Sequence, residues 1–298
     1  RTIYEAPISF FKEKLDLQVL NYFKLRSKKP VNLTPWKKIT KIILHTKKHV
    51  NIAIIGKYVE LKDAYKSLDE ALTHGGIDNN VKINLVRIDS EKLKVSEIKS
   101  KLKNISGILI PGGFGKRGTD GKIAAIKFAR INKIPFLGIC YGMQMAIIEF
   151  ARNKLNLKKA TSSEFDKKGL AIIGLMNEWN KDGKKIKGTD KNLGGTMRLG
   201  SYDAKLLKNS MIQKIYGKNL IKERHRHRYE VNIAFKEKFE KNGMNFSGLS
   251  PDGNLPEIIE LKNHPWFIGV QFHPEFKSRP LAPHPLFSSF IKASKNHK

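Results

Sequence analysis

The sequence predicts an α/β fold: a mostly parallel sheet covered by helices on both faces, behind an N-terminal linker remnant. Three observations carry that expectation. From Asn51 onward, short apolar runs alternate with longer amphipathic stretches, the pattern of strands joined by crossover helices. The lone cysteine, Cys140, sits between an apolar run and an amphipathic one in the turn Gly138-Ile139-Cys140-Tyr141-Gly142. Finally, 298 residues with 40% hydrophobic content suffice for one large domain with a substantial core plus an appendage.

Taken in order, residues 1–48 mix short helical patterns with the breakers KKP and TPW, and they are assigned to a linker region ahead of a domain spanning 49–298. NIAIIGKY (Asn51 to Tyr58) reads as a buried strand, and DAYKSLDEALTHGG (Asp63 to Gly76) as a helix ended by its glycines. Further strands are expected at KINLVRID (Lys82 to Asp89), GILIPGGFG (Gly107 to Gly115) and IPFLGIC (Ile134 to Cys140). A helix is expected over Gly142 to Leu155. EIIEL (Glu257 to Leu261) and WFIGVQF (Trp266 to Phe272) read as late strands on a mixed edge. In such folds ligands collect at the C-terminal ends of the parallel strands.

Composition narrows the function classes. No apolar run approaches the length needed to cross a bilayer. One cysteine excludes an internal disulfide framework and fits a reducing, cytoplasmic setting. The chain opens on Arg1, and RTIYEAPISFFKEKL lacks a signal-peptide pattern, so it reads as a piece of something longer. The net charge of +30 raises the question of nucleic acid. The lysines are spread along the whole chain without aromatic interleaving, so no nucleic-acid surface is expected.

The G-x-C-x-G turn is a cysteine version of a nucleophile elbow, in which flanking glycines relieve crowding and the nucleophile is held strained and exposed at the sheet's top edge. The helix after it favours a thiolate through its N-terminal dipole and free N–H groups. The opposing reading is a small buried hydrophobe. A thiolate needs a base and the base an orienting group. His273 and Glu275, two apart after an extended run, project to one side and supply both. The loop Pro111-Gly112-Gly113-Phe114-Gly115 lets backbone N–H groups approach a ligand and offers an oxyanion donor, with a second at Tyr141. Gly113, Gly115 and Gly118 also spell G-x-G-x-x-G, a weak dinucleotide match because Asp120 and Gly121 interrupt the helix that should come next. No G-x-x-x-x-G-K-[ST] run exists, so ATP is not expected to bind through a P-loop. In Arg224-His225-Arg226-His227-Arg228-Tyr229-Glu230 the interleaved arginines repel a cation, and no metal site is expected. An arginine fork there suits a carboxylate, such as that of an amino acid.

The elbow, the PGGFG loop and the HPE triplet resemble the class I glutamine amidotransferases. GKYVELKDAYKSLDEALTHGG, PGGFGKRG, LGICYGMQ, LGGTMRLG, ERHRHRYEVN and NHPWFIGVQFHPEF are similar, more narrowly, to the glutaminase domains of the CTP synthase family. The similarity spans Asn51 to Phe290, and RTIYEAP with the stretch behind it resembles the end of that family's synthetase domain and its interdomain linker. The resemblance implies Cys140 as nucleophile, His273 as base and acid, and Glu275 as its orienter. It places Gly112, Gly113 and Tyr141 around the oxyanion hole. L-glutamine would be held by Tyr141, Gly142, Met143 and Gln144, by Glu164 at its ammonium group and by Arg228 at its carboxylate. No cofactor is implied for this chain. ATP and Mg belong to a synthetase domain that aminates UTP, GTP is the implied activator, and the longer protein is expected to be a homo-oligomer. Phe114 and Arg117 are candidate allosteric residues that would meet a purine, the opposing reading being that Phe114 is core and Arg117 solvated. Tyr141 stands where the family has leucine, Ser163 and Glu164 lie in an SSEF that replaces an asparagine-containing version, and Asn192 replaces an aspartate.

Overall fold

The computed structural model describes residues 2–27, 29–175, 178–181, 184–187 and 197–297. Asn192 and the first half of the LGGTMRLG segment lie outside the described residues. Three helices come first: α1 (Ala6–Lys12), α2 (Leu15–Tyr22) and α3 (Thr34–His45). The alternation then runs as β1 (His49–Gly56), α4 (Lys66–Asp78), β2 (Lys82–Asp89), α5 (Ile98–Lys101), β3 (Gly107–Ile110), α6 (Thr119–Ile131), β4 (Phe136–Ile139) and α7 (Tyr141–Asn153). Next come β5 (Ala160–Ser162), β6 (Leu170–Leu175), β7 (Glu178–Lys181), β8 (Lys184–Lys187), β9 (Arg198–Leu206), α8 (Met211–Tyr216), β10 (Leu220–His227) and β11 (Tyr229–Val231). The chain closes with α9 (Lys236–Lys241), β12 (Met244–Leu249), β13 (Pro256–Leu261), β14 (Phe267–Val270) and α10 (Pro285–Asn296).

A nine-stranded sheet in the order β10-β9-β12-β13-β14-β4-β3-β1-β2 forms the centre. From β14 to β2 every pairing is parallel, whereas β13, β12, β9 and β10 add an antiparallel flank. The mixed edge expected from the late strands is therefore a four-stranded wing. A small sheet, β11-β6-β5, and a hairpin, β7-β8, stand apart from it.

Strand alternation sorts the core into two faces, since successive side chains of a strand point to opposite sides. In β1, Ala53 and Ile55 join the layer beneath α6 and α7, while Ile52 and Ile54 join the layer beneath α4 and α10. β3 does the same with Ile108 and Ile110 against Leu109. Both faces are thus dry, which is why the inner parallel strands β1, β3, β4 and β14 read as apolar runs, whereas β2 at the edge, half-exposed, does not.

Two helix boundaries differ from the sequence expectation. α4 runs through Gly75 and Gly76 to Asp78, capped by Asn79, with Asn80 at φ 52°. Those glycines are there for closeness: a Cβ at Gly75 would lie 2.8 Å from the Phe287 carbonyl oxygen, and one at Gly76 2.8 Å from that of Val81. Likewise α6 continues through Asp120 and Gly121, because a Cβ at Gly121 would sit 2.1 Å from the Ser90 carbonyl oxygen where the helix crosses the end of β2.

Ahead of β1, the helices touch the domain through a small cluster of Tyr4, Ile39 and Ile77 with Trp36, Ile42 and Ile43, and the Tyr4 hydroxyl donates to Glu70. α1 and α2 bury none of their residues. Phe10, Phe11, Leu17, Val19, Tyr22, Phe23 and Leu25 all stand exposed. Among the described residues no helix is long and apolar enough to cross a membrane.

Candidate active site

Register assembles the site. Ile110 of β3 pairs with Gly138 of β4, and Ile139 of β4 pairs with Val270 of β14, so three parallel strands end side by side. The segments leaving these strands converge at one edge: the Gly112–Gly118 loop after β3, Cys140 after β4, and Gln271 to Glu275 after β14.

Cys140 occupies the N-cap position of α7 with φ 51° and ψ −100°, a conformation that L-residues avoid. The flanking glycines are required sterically. A Cβ at Gly142 would lie 2.2 Å from the Ile110 carbonyl oxygen, and one at Gly138 would press on the Gly142 backbone at 2.8 Å. The Cys140 N–H is tied to the Val270 carbonyl at 2.6 Å. One expectation needs correction: the cysteine is not exposed at the sheet edge but buried, at 5%, because the chain after β14 folds Gln271 and His273 over it.

The imidazole of His273 shares a 2.7 Å hydrogen bond between Nδ1 and Glu275 Oε1, and it also hydrogen-bonds Cys140. With Nδ1 engaged by the carboxylate, Nε2 is the nitrogen left for sulfur. Burial alone would push the ring's pKa down. The negative charge of Cys140, the hydrogen bond to it and the Glu275 carboxylate outweigh burial and push it up to about 10. The ring is thus an imidazolium at neutral pH, set against the Cys140 sulfur. His273 and Glu275 meet by a route other than the extended one inferred from their spacing. Pro274 cannot continue the ladder, and Pro274–Phe276 close into a 3-10 turn that swings the carboxylate back. Phe276 stacks on the His273 ring with centroids 5.4 Å apart.

The glycine loop lies against this pair. A Cβ at Gly112 would be 2.8 Å from His273 Cε1, and Gly113 faces the Tyr141 ring. Gly115 and Gly118 take φ 73° and 72°, which only glycine adopts cheaply. Four side chains hold the loop. The Lys57 ammonium donates to the Phe114 carbonyl, and the Tyr141 hydroxyl donates to the Gly115 carbonyl. Glu164 accepts from the Gly115 N–H at 2.8 Å, and Lys122, buried against Ser90 Oγ at 2.7 Å, reaches the Gly118 carbonyl at 3.4 Å. Burial first, then the charge of Lys57, pushes the Lys122 ammonium down to about 8. Burial raises the Glu164 carboxyl despite its bond to Gly115 and the nearby Lys57. Phe114 is 64% exposed with Lys57 Nζ 5.0 Å above its ring, so it is not core. Arg117 pairs with Glu91 at 3.3 Å on the surface.

The remaining candidates fall into place unevenly. The Met143 side chain belongs to the core, so what the Tyr141 to Met143 stretch can offer is the backbone N–H groups of the first turn of α7. Gln144 is itself buried and donates to the Tyr229 carbonyl at 3.0 Å and to Gln271 Oε1 at 3.3 Å. Arg228, half-buried, is the single residue between β10 and β11, where the chain steps from the large sheet to the small one. His225 and His227 point elsewhere, into a closed ring of five ionisable groups. His225 Nδ1 and His227 Nε2 are 2.9 Å apart, Arg198 Nη1 reaches Glu257 at 2.5 Å and Glu230 at 3.4 Å, and each histidine lies 3.6 Å from one of those carboxylates. Burial pushes Glu257 up to about 7 against the pull of Arg198, raises Glu230, and lowers both histidines. The ring braces β9, β10, β11 and β13 immediately before and after Arg228. Sequence reasoning missed Gln271, Lys57 and Lys122. Gln271 alone carried a signal, its two-residue spacing from His273.

A strained cysteine beside an imidazolium, with the Gly112 backbone close against that ring, is equipped for acyl transfer through a covalent intermediate. Among known proteins, the family model for glutamine amidotransferase class-I matches residues 60–293. The chain is 89% identical over its full length to the CTP synthase of Pelagibacter ubique and 52% identical over 294 residues to that of Rhodospirillum rubrum, covering 55% and 54% of those relatives. It spans about half the length of the relatives it matches. A solved structure of the Trypanosoma brucei CTPS glutaminase domain with bound acivicin aligns over 84% of this chain and 95% of its own, with 38% identity and a TM-score of 0.75. By profile, sequence and fold together, the chain belongs to the class I glutamine amidotransferases and, within them, to the glutaminase domains of the CTP synthases.

Proposed function

We propose that this chain hydrolyses L-glutamine to glutamate and ammonia. The observation that carries the reading is the Cys140–His273–Glu275 arrangement at the joined ends of β4 and β14. The Cys140 thiolate attacks the substrate's side-chain carbonyl carbon, and the oxygen takes up the negative charge facing the N–H groups of the Gly112–Gly113 segment and Tyr141. The His273 imidazolium gives its proton to the departing nitrogen, which leaves as ammonia, and the acyl group remains on sulfur as a thioester. Neutral His273 then takes a proton from water, hydroxide adds to the thioester, and collapse expels the thiolate with glutamate. Glu275 keeps the ring aligned and its positive form stable throughout. Glu164 receives the ammonium group of the substrate and Arg228 its carboxylate, with Gly142 and Gln144 lining the pocket floor.

The ammonia serves a second site in the length of the relatives that this chain does not span, where ATP and Mg drive the amination of UTP to CTP. Residues 1–48 are then the edge of that neighbouring domain and the linker from it, which accounts for the apolar side chains that α1 and α2 leave uncovered. GTP acts on the Gly112–Gly118 loop, with exposed Phe114 as a stacking surface and Arg117 beside it. The test is glutamate release by the purified chain, together with mass spectrometry after treatment with a glutamine-shaped electrophile. One adduct on Cys140 and its loss in Cys140→Ala are expected, and glutamate release retained by that variant would overturn the reading.

A further inference from the structure

We propose that Gln271 is a third side chain acting on the nucleophile: its amide N–H donates to Cys140 Sγ and favours the thiolate, and Gln144 sets the direction of that amide. The inference rests on Cys140 being the nucleophile.

Gln271 comes directly after Val270, the last residue of β14, and is wholly buried. A buried amide must place both its oxygen and its nitrogen. Gln271 Nε2 lies 3.5 Å from Cys140 Sγ, and its Oε1 accepts from Gln144 Nε2 at 3.3 Å. The orientation is dictated from outside the pair. A backbone carbonyl can only accept, so the Tyr229 oxygen, 3.0 Å away, turns the NH2 of Gln144 toward itself. The second hydrogen of that NH2 then needs an acceptor, which fixes Gln271 Oε1 on the Gln144 side. The Gln271 NH2 is left facing sulfur.

The backbone supports this placement. The Gln271 N–H donates to the Glu257 carbonyl at 2.8 Å, and the His273 N–H to the Arg224 carbonyl at 2.7 Å. Residues 271 and 273 are thereby pinned to the antiparallel wing, and both present their side chains to Cys140. A neutral thiol is a poor acceptor, whereas a thiolate accepts a charge-assisted bond roughly twice as strong as a neutral one. The buried NH2 is therefore well paired only while the sulfur is charged, so the amide adds to the effect of His273. The chain of bonds also ends one residue from Arg228, joining the nucleophile's surroundings to the segment proposed to receive the substrate's carboxylate.

Because the chain has a single cysteine, a thiol reagent reads Cys140 alone. The rate of alkylation by iodoacetamide is measured against pH for the parent chain and for Gln271→Met, which keeps the volume and removes the donor. The midpoint should move up by about one pH unit and kcat for glutamate release should fall about tenfold, with KM changed less than about twofold. Gln271→Asn, whose amide is one carbon short of sulfur, must shift in the same direction and decides alone should the Met variant not fold. An unsubstituted check is the 15N side-chain amide signal of Gln271, which should move in step with Cys140 ionisation. An unchanged alkylation profile in a folded variant, or an amide signal indifferent to that ionisation, overturns the proposal, whatever happens to thermal stability. Retained hydrolysis in Cys140→Ala would instead overturn the assignment of the nucleophile.

Discussion

On one side of Cys140, the chain beyond β14 brings Gln271, His273 and Glu275 to the sulfur on a backbone bonded to β13 and β10, with both His273 and Glu275 side chains about nine-tenths buried. On the other side, the Gly112–Gly118 loop carries the exposed Phe114 at its tip and two glycines with positive φ. It is held by single contacts from Lys57, Tyr141, Glu164 and Lys122. The base side is packed into the sheet, while the donor side is a strap fastened at a few points. Catalytic groups on rigid elements keep their geometry, and loops fastened by few bonds are where a second ligand can change it. The proton-handling half of the site should therefore be fully assembled in the free protein, and adjustment should be confined to the oxyanion half.

Five measurements break or sharpen that contrast. Cys140→Ala should bring glutamate release down by on the order of 10⁴-fold or to background, since no other nucleophile is placed. Glu275→Gln removes the carboxylate from Nδ1 and should lower kcat about 10²-fold with KM for glutamine little changed. The same pair has a signature in stability. His273 is raised from an ordinary 6.5 to about 10, so the stability it contributes is full below the unfolded value and is lost progressively as pH rises through about 10. Melting temperatures of the parent and His273→Ala should accordingly converge between neutral and alkaline pH, and a gap that stays constant would remove the imidazolium from the account. Tyr141→Phe deletes one strap contact worth about 1 kcal/mol, or about fivefold in kcat. If it matches the Glu275→Gln loss, the two sides are equally rigid and the contrast collapses. The smallest effect is expected from Phe114→Ala, under about twofold on basal hydrolysis because the ring makes little packing. In the longer relatives' context it should weaken activation by GTP more than that, and proportional losses in both rates would refute a regulatory role.

Much of this was legible in the sequence because local chemistry and fold agree there. The apolar runs of β1, β3, β4 and β14 are buried on both faces, and the glycine pair around Cys140 has no cheaper explanation than its turn. Legibility failed where meaning depended on a distant neighbour. Gly75 and Gly121 look like helix breakers but are required by the Phe287 and Ser90 carbonyls, far along the chain. His225 and His227 stand in a basic run, but they turn inward, bonded to each other at 2.9 Å and packed 3.6 Å from carboxylates of β13 and β11. Gln271 and Lys122 gain their roles only from the strand register that places Cys140 and the glycine loop beside them. The size of the antiparallel wing was equally hidden, since the inward-facing set of β10 is Ile221, Glu223, His225 and His227, so its alternation is not one of hydrophobicity.

The backbone at Cys140 has one more consequence. A non-glycine residue at φ 51°, ψ −100° costs on the order of 1–3 kcal/mol, repaid by the rest of the fold. Glycine would adopt that conformation without the penalty, so Cys140→Gly should melt higher than Cys140→Ala although both lack the sulfur. A trade-off between durability and catalysis is thus built into a single position. Stability alone would favour glycine there, and it is the proposed reaction that asks for a sulfur.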